Sequence, residues 1–242
     1  MDPAARPVAL FAALDEEARA LARHLPRAAT SSPHLSIWEG AIDAAPVVLV
    51  VSGVGKVAAA LATQFACDVY HPRCAVTFGL AGATDSERPA GQLIVATGAV
   101  QHDMDARPLT EARGMIPSLG KAMFDADPKL AQGLRRAAQR VVDDPRVVSS
   151  GLVLTGDQIV TSRAVRDGLL RDFPEGLCFD METAAIAQVA HQNDLPWAAL
   201  RLTSDAADES FDLDQVISFG INTAADLFDQ IIQAFLSGGQ WA

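Results

Sequence analysis

Short apolar runs recur along this chain, most of them ending on glycine or an acid and leading into a helical stretch. They cover residues 7–14, 45–51, 74–82, 91–97, 147–154, 176–179 and 197–203. Runs of this length with little polar alternation read as strands buried on both faces. Helices are expected at residues 15–24, 56–70, 127–142, 162–172 and 183–189, with a last amphipathic helix at 213–236. Residues 34–40 and 41–53 read as a strand pair. Asp127 is a good N-cap with Pro128 at the first helical position, and Phe173-Pro174 ends the helix before it. The expected fold is α/β, a three-layer sandwich with a central mixed β-sheet flanked by helices.

A chain of 242 residues with no linker-like run fits one domain, and at 50% hydrophobic it can bury a sizeable core. The formal net charge is -11 and no basic cluster stands out. Nucleic acid and anionic membrane surfaces need Lys/Arg patches, so neither is an expected partner. A small-molecule substrate fits better. Cys67, Cys74 and Cys178 are scattered and form no C-x-x-C, which argues against a disulfide framework or a zinc site. A reducing cytoplasm is the expected compartment. No apolar run approaches the roughly 18 residues that span a bilayer. At the N-terminus Asp15-Glu16-Glu17 follows the first apolar run too soon for a signal peptide.

Candidate chemistry lies where strands end, because ligands of α/β sheets bind outside the carboxyl ends of the strands. Phe179-Asp-Met-Glu-Thr-Ala-Ala-Ile-Ala187 places Asp180 and Glu182 between a strand and an Ala-rich helix. Capping accounts for Asp180, since acids complement a helix N-terminus. Glu182 is less easily explained in that way. Trp197-Ala-Ala-Leu-Arg-Leu-Thr203 ends on Ser204-Asp205, a turn by composition and equally a place for a general acid. Ala13-Leu-Asp-Glu-Glu17 opens the first helix with three acids, ordinary dipole complements unless one of them points back over the strand end. Ser52-Gly-Val-Gly-Lys-Val-Ala-Ala-Ala60 contains a relaxed Gly-x-Gly dinucleotide fingerprint, with close helix-on-strand packing as the plainer reading. Small residues in Gly79-Leu-Ala-Gly82 let a ligand approach the backbone. Gln101-His102-Asp103-Met104-Asp105 could suggest a metal, but one histidine with acids on a loop reads first as a local hydrogen-bond cluster. No metal site is expected.

The first five of these stretches, from residue 13 through to Asp205 and without 101–105, resemble the nucleoside phosphorylase/nucleosidase superfamily. Within it they are most similar to the 5'-methylthioadenosine/S-adenosylhomocysteine nucleosidases. The similarity runs in order from about residue 8 to residue 236, so a single nucleosidase domain is expected over residues 1–242. The resemblance implies Glu17 as the acid that activates water and Asp205 as the acid that protonates the leaving adenine. It implies that Glu182 holds the ribose hydroxyls, that Met181 packs under the sugar, and that Arg201 lies near the water. Ser204, Ala81 and Gly82 join the substrate site by the same resemblance. Ile159 takes the position of an aromatic that stacks on the base, Val160 lies beside the base edge, and Phe211 lines the pocket for the 5'-substituent. Residues 101–120 fall at the rim, as a flap shared with the second subunit of a homodimer. One departure is Leu80, which stands where the family usually has serine near the water or anion pocket.

The reaction implied is hydrolysis of the N-glycosidic bond of a 5'-modified adenosine, without cofactor or metal. The substrate could be 5'-methylthioadenosine, S-adenosylhomocysteine or 5'-deoxyadenosine. Phosphorolysis, or another adenosyl compound such as futalosine or adenosylhopane, is the near alternative. An anion beside Glu17 would be repelled, which favours water over phosphate. A non-catalytic nucleoside-binding module is the alternative of a different class, and a nicotinamide-dependent oxidoreductase rests on Gly53-x-Gly55 alone.

Overall fold

A computed structural model describes residues 6–28, 34–85, 87, 90–219 and 223–239. The apolar runs are strands of one sheet. β1 (Val8–Ala12) is buried at every position. It is followed by α1 (Asp15–Ala22), β2 (Ser36–Ile42), β3 (Ala45–Val51), α2 (Lys56–Tyr70) and β4 (Cys74–Ala83). β5 (Leu93–Gln101), β6 (Met123–Asp125), α3 (Pro128–Val141), β7 (Val148–Thr155) and α4 (Arg163–Asp172) come next. β8 (Gly176–Asp180), α5 (Thr183–Gln192), β9 (Trp197–Asp205), α6 (Leu213–Phe219) and α7 (Ala225–Ser237) complete the chain.

The strand order is β2-β3-β1-β4-β8-β7-β5-β6, and β9 pairs with both β4 and β5. β4, β8, β7, β5 and β9 therefore close on themselves, and β1, β3 and β2 extend as a wing from β4. The sheet is mixed: β1–β4 and β4–β9 are parallel, while β4–β8 and β5–β9 are antiparallel. Register gathers the strand ends. Gly82 lies opposite both Phe179 and Asp205, and Thr155 lies opposite Asp180.

Helices cover both faces. Residues of α1, α3 and α7 (Leu21, Leu134, Phe228) join one core with the strands, and α2 and α5 (Ala59, Ala62, Ile186, Ala187) join another. α2 and α5 meet that core largely through alanine, which allows close approach to the sheet. Asp127 caps α3 as expected, accepting the N–H groups of Lys129 and Leu130 at 2.9 and 3.0 Å.

The elements differ from expectation in places. The strand expected at 91–97 begins at Leu93 and runs to Gln101, because Gly91 turns the chain at φ +82°. β6, only 3 residues long, carries too little pattern to be foreseen. The last helix, expected at 213–236, is described in two stretches, α6 and α7, and residues 220–222 between them lie outside the described residues. α7 buries Phe228, Ile231, Ile232 and Phe235 along one face, whereas α6 buries none of its residues. Among the described residues no helix is long and apolar enough to cross a membrane.

Candidate active site

Glu17 enters the site by the geometry of α1. Its Oε2 accepts the N–H groups of Ala13 and Leu14, both at 3.1 Å, which satisfies donors at the helix start. Its Oε1 accepts the Leu80 N–H at 2.8 Å, across the gap between β1 and β4. The capping role and the functional role therefore belong to one side chain. Glu17 is 4% exposed. Burial pushes its carboxyl above the usual range, against the opposing pull of the Leu80 N–H and the Arg201 charge.

Arg201 is the largest fully buried side chain. Its charge is met by Asp180, whose Oδ2 lies 2.8 Å from Nε. Arg201 Nη2 also donates to Thr77 Oγ1 at 3.1 Å and to Thr183 Oγ1 at 2.7 Å. Asp180 accepts the Thr155 hydroxyl at 2.5 Å and the Thr183 N–H at 3.1 Å. Asp180 thus caps α5, as its position suggests, and in addition fixes the arginine. A buried guanidinium needs this many partners to offset its lost hydration. Arg201 Nη1 and Glu17 Oε1 converge over Gly79, where a Cβ would come within 2.5 and 2.8 Å of them. Only glycine leaves that space.

Glu182 sits at the start of α5, 6% exposed, with Oε1 accepting the Gly55 N–H at 2.9 Å. Burial first, and then the Asp180 charge, push its carboxyl up to about 7. Asp205 ends β9. Its Oδ2 accepts the Ser204 hydroxyl and its Oδ1 the Ala207 N–H, both at 2.8 Å. Burial also raises this carboxyl, although the two hydrogen bonds oppose the shift. A Cβ at Gly82 would stand 3.2 Å from Asp205 Oδ1. Ala81 is buried, and its carbonyl lies 3.3 Å from Ser204 Oγ.

Other expected positions are placed as follows. Met181 is half-buried between Asp180 and Glu182, and Phe211 is half-buried beyond β9. Ile159 is 54% exposed. The Val160 side chain packs in a small core with Leu154, Leu169 and Phe179, which leaves only its backbone free to face a ligand. Leu80 turns its side chain toward the core on the α1 and α7 face and offers the site only its N–H.

The glycine loop has a different part from either of its sequence readings. Gly53 and Gly55 both have positive φ, +84° and +99°. That conformation aims the first free N–H groups of α2 at acids of the chain itself. Gly55 N–H meets Glu182, and Lys56 N–H meets Asp157 Oδ1 at 2.8 Å. The anion-binding end of the helix is thus already filled, where a dinucleotide phosphate would otherwise sit. Lys56 Nζ reaches Asp103 Oδ1 at 2.6 Å and Gln101 Oε1 at 3.1 Å, while Asp103 Oδ2 accepts the Asp157 N–H at 2.9 Å. Lys56, Asp103 and Asp157 form a closed ring that ties the loops after β3, β5 and β7. Of the segment 101–105, Gln101 and Asp103 are hydrogen-bonded to Lys56, whereas both ring nitrogens of His102 are buried without a hydrogen-bond partner; no group of three His, Cys, Asp or Glu among the described residues could hold a metal. Sequence reading missed the roles of Gly55, Gly79, Lys56 and Asp157. Gly55, Lys56 and Asp157 follow the ends of β3 and β7, whereas Gly79 lies inside β4 opposite Arg201.

The sequence profile of the phosphorylase superfamily matches residues 7–237. A 5'-methylthioadenosine/S-adenosylhomocysteine nucleosidase of Anoxybacillus flavithermus is 33% identical over 201 residues, covering 83% of this chain and 85% of the relative. The crystal structure of the nucleosidase of that name from Neisseria meningitidis, in complex with methylthio-immucillin-A, superposes with a TM-score of 0.88. It is 30% identical and covers 96% of this chain and 99% of that one. Futalosine hydrolase of Helicobacter pylori shares the fold, with a TM-score of 0.85 at 21% identity, over 96% of this chain and 98% of its own. The chain belongs to the phosphorylase superfamily, and within it to the 5'-methylthioadenosine/S-adenosylhomocysteine nucleosidases.

Proposed function

We propose that this chain hydrolyses the N-glycosidic bond of a 5'-modified adenosine, such as 5'-methylthioadenosine or S-adenosylhomocysteine, and releases adenine. An adenine anion is a poor leaving group, so the base must be protonated as the bond breaks. Asp205 supplies that proton to N7, and its raised carboxyl suits an acid that must hold a proton near neutrality. Glu182 accepts the ribose hydroxyls and places a negative charge beside the ribosyl cation as it develops. Met181 packs under the sugar. Water attacks C1' from the face opposite the base. Glu17 orients it and takes its proton, and Arg201 keeps the neighbouring carboxylates from repelling one another.

Water is favoured over phosphate by one observation. The Leu80 N–H, a donor an anion would need, is already taken by the buried Glu17 carboxylate at 2.8 Å. Phosphate would meet a carboxylate there, and like charges in a low-dielectric site repel strongly. The carboxylate roles are tested by measuring adenine release from 5'-methylthioadenosine with Asp205→Asn and Glu17→Gln. Each is expected to lower kcat by about 10²–10⁴-fold, the range for loss of a positioned acid or base. Activity within threefold of wild type in either variant would remove that residue from the mechanism.

The working unit we infer is one nucleosidase domain over residues 1–242, with its core at about 8–236, acting as a homodimer in the cytoplasm. Support for the dimer lies on α2 and the loop before it. Val54, Val57 and Leu61 are 51%, 71% and 66% exposed, an apolar stripe beside the site that a second copy would cover. Support for a reducing compartment is that Cys67, Cys74 and Cys178 are all free thiols.

A further inference from the structure

Arg166 is a buried cation that the mechanism above does not use. It lies on α4, the helix that follows the base-facing loop, and is 5% exposed. Its Nη1 donates to the Ala206 carbonyl at 3.1 Å in a buried contact. The same nitrogen stands 3.9 Å from Asp208 Oδ2, and Nε donates to Asp167 Oδ1 at 3.2 Å. Ala206 is the residue between Asp205 and the Ala207 N–H that holds Asp205 Oδ1 at 2.8 Å. Ala207 itself is fully buried with φ +49°, a conformation that alanine adopts only when its surroundings impose it. Arg166 grips the peptide that imposes it. A second tie runs beside the first: Arg163 N–H donates to Glu209 Oε1 at 3.0 Å, and Arg163 Nη2 lies 3.5 Å from Asp208 Oδ2.

We propose that Arg166 is a positioning residue for the glycosidic cleavage. It holds the 205–208 turn against α4, so that the Ala207 N–H fixes the Asp205 carboxyl in the orientation that delivers its proton. Burying a guanidinium is costly unless its partners are fixed, and a rigid α4 supplies that fixity. Lysine would keep the charge but lose the fork of donors that serves the carbonyl and the acids together. The role extends the reaction proposed above and rests on that reading.

The test measures kcat and KM for adenine release from 5'-methylthioadenosine in wild type, Arg166→Met, Arg166→Lys and Asp205→Asn, and in Arg166→Met combined with Asp205→Asn. Arg166→Met is expected to lower kcat by about 10–100-fold with KM changed less than about threefold, since a misplacement of 1 Å is enough for such a loss. Arg166→Lys should recover part of it. In the Asp205→Asn background Arg166→Met should cost less than about twofold, because residues acting through one group are not additive. A scaffold role alone would give the same fold-loss in both backgrounds, and that result overturns the proposal. So does a kcat for Arg166→Met within twofold of wild type. If Arg166→Met does not fold, Arg166→Lys in the two backgrounds carries the same comparison. A wild type that releases no adenine would sink the reaction itself and this role with it. An active wild type with additive losses would sink this role alone.

Discussion

Glu182 shows how one residue can serve the site at a cost to the fold. Its carboxyl is pushed up to about 7 by burial and by Asp180. A folded-state value above the unfolded one means stability that is complete below pH 4.5 and is lost as pH rises through about 7. The shift corresponds to roughly 3 kcal/mol at 1.36 kcal/mol per unit. Glu182→Gln cannot ionise and escapes that loss. Relative to wild type, its unfolding free energy should therefore climb by up to about 3 kcal/mol between pH 4.5 and 7.5. Urea unfolding of the two proteins across that range checks the slope, and a constant difference would mean that Glu182 ionises freely. At this scale the sequence was legible where a side chain stands out by type and place: Glu17, Glu182 and Arg201 are all buried, and Asp205 ends β9. It was not legible where a backbone donor or a missing side chain does the work. Gly55 acts through its N–H, and Gly79 through the space it leaves.

At the scale of elements, three loops are fastened by Lys56, Asp103 and Asp157. The ion pair is partly shielded, with side chains 17% and 27% exposed. It holds the glycine turn whose N–H meets Glu182, and the turn that leads to Ile159. Lys56→Met should lower stability by about 1–2 kcal/mol, the scale of a charged hydrogen bond discounted for exposure. It should also speed amide exchange at Lys56 and Asp157 together. Exchange measured by mass spectrometry over residues 52–60 and 155–160 checks this, and unchanged rates in both segments would mean the ring holds nothing. The ring pairs residues 47 and 54 positions apart, and no local periodicity encodes such a pairing. The same reason explains which elements could be foreseen. α2 and α3 were legible from apolar spacing and end signals. β6 was not, because it exists only through its pairing with β5.

For the whole molecule, a central sheet between two helix layers was implied by the run of buried strands and helices, whereas the antiparallel pairs β4–β8 and β5–β9 within it were not. The closure of β4, β8, β7, β5 and β9 was not, since it depends on β9 pairing at both edges. That closure brings the ends of distant strands within reach of one substrate. The exposed apolar residues Val54, Val57 and Leu61 lie outside it, and they are the face through which the proposed dimer would pair. Leu61→Glu should convert a dimer to a monomer at micromolar concentration, because a charge at a dry contact lacks a partner. Sedimentation velocity of the two proteins reads this directly, and an unchanged mass would place the interface elsewhere.

The most direct test of the account is adenine release from 5'-methylthioadenosine by the wild-type protein, with and without phosphate, identifying the sugar product. Hydrolysis predicts the same rate in both conditions and a free 5-methylthioribose. Release that requires phosphate and yields a sugar 1-phosphate would contradict it, because Glu17 could not then stand where its hydrogen bond to Leu80 puts it.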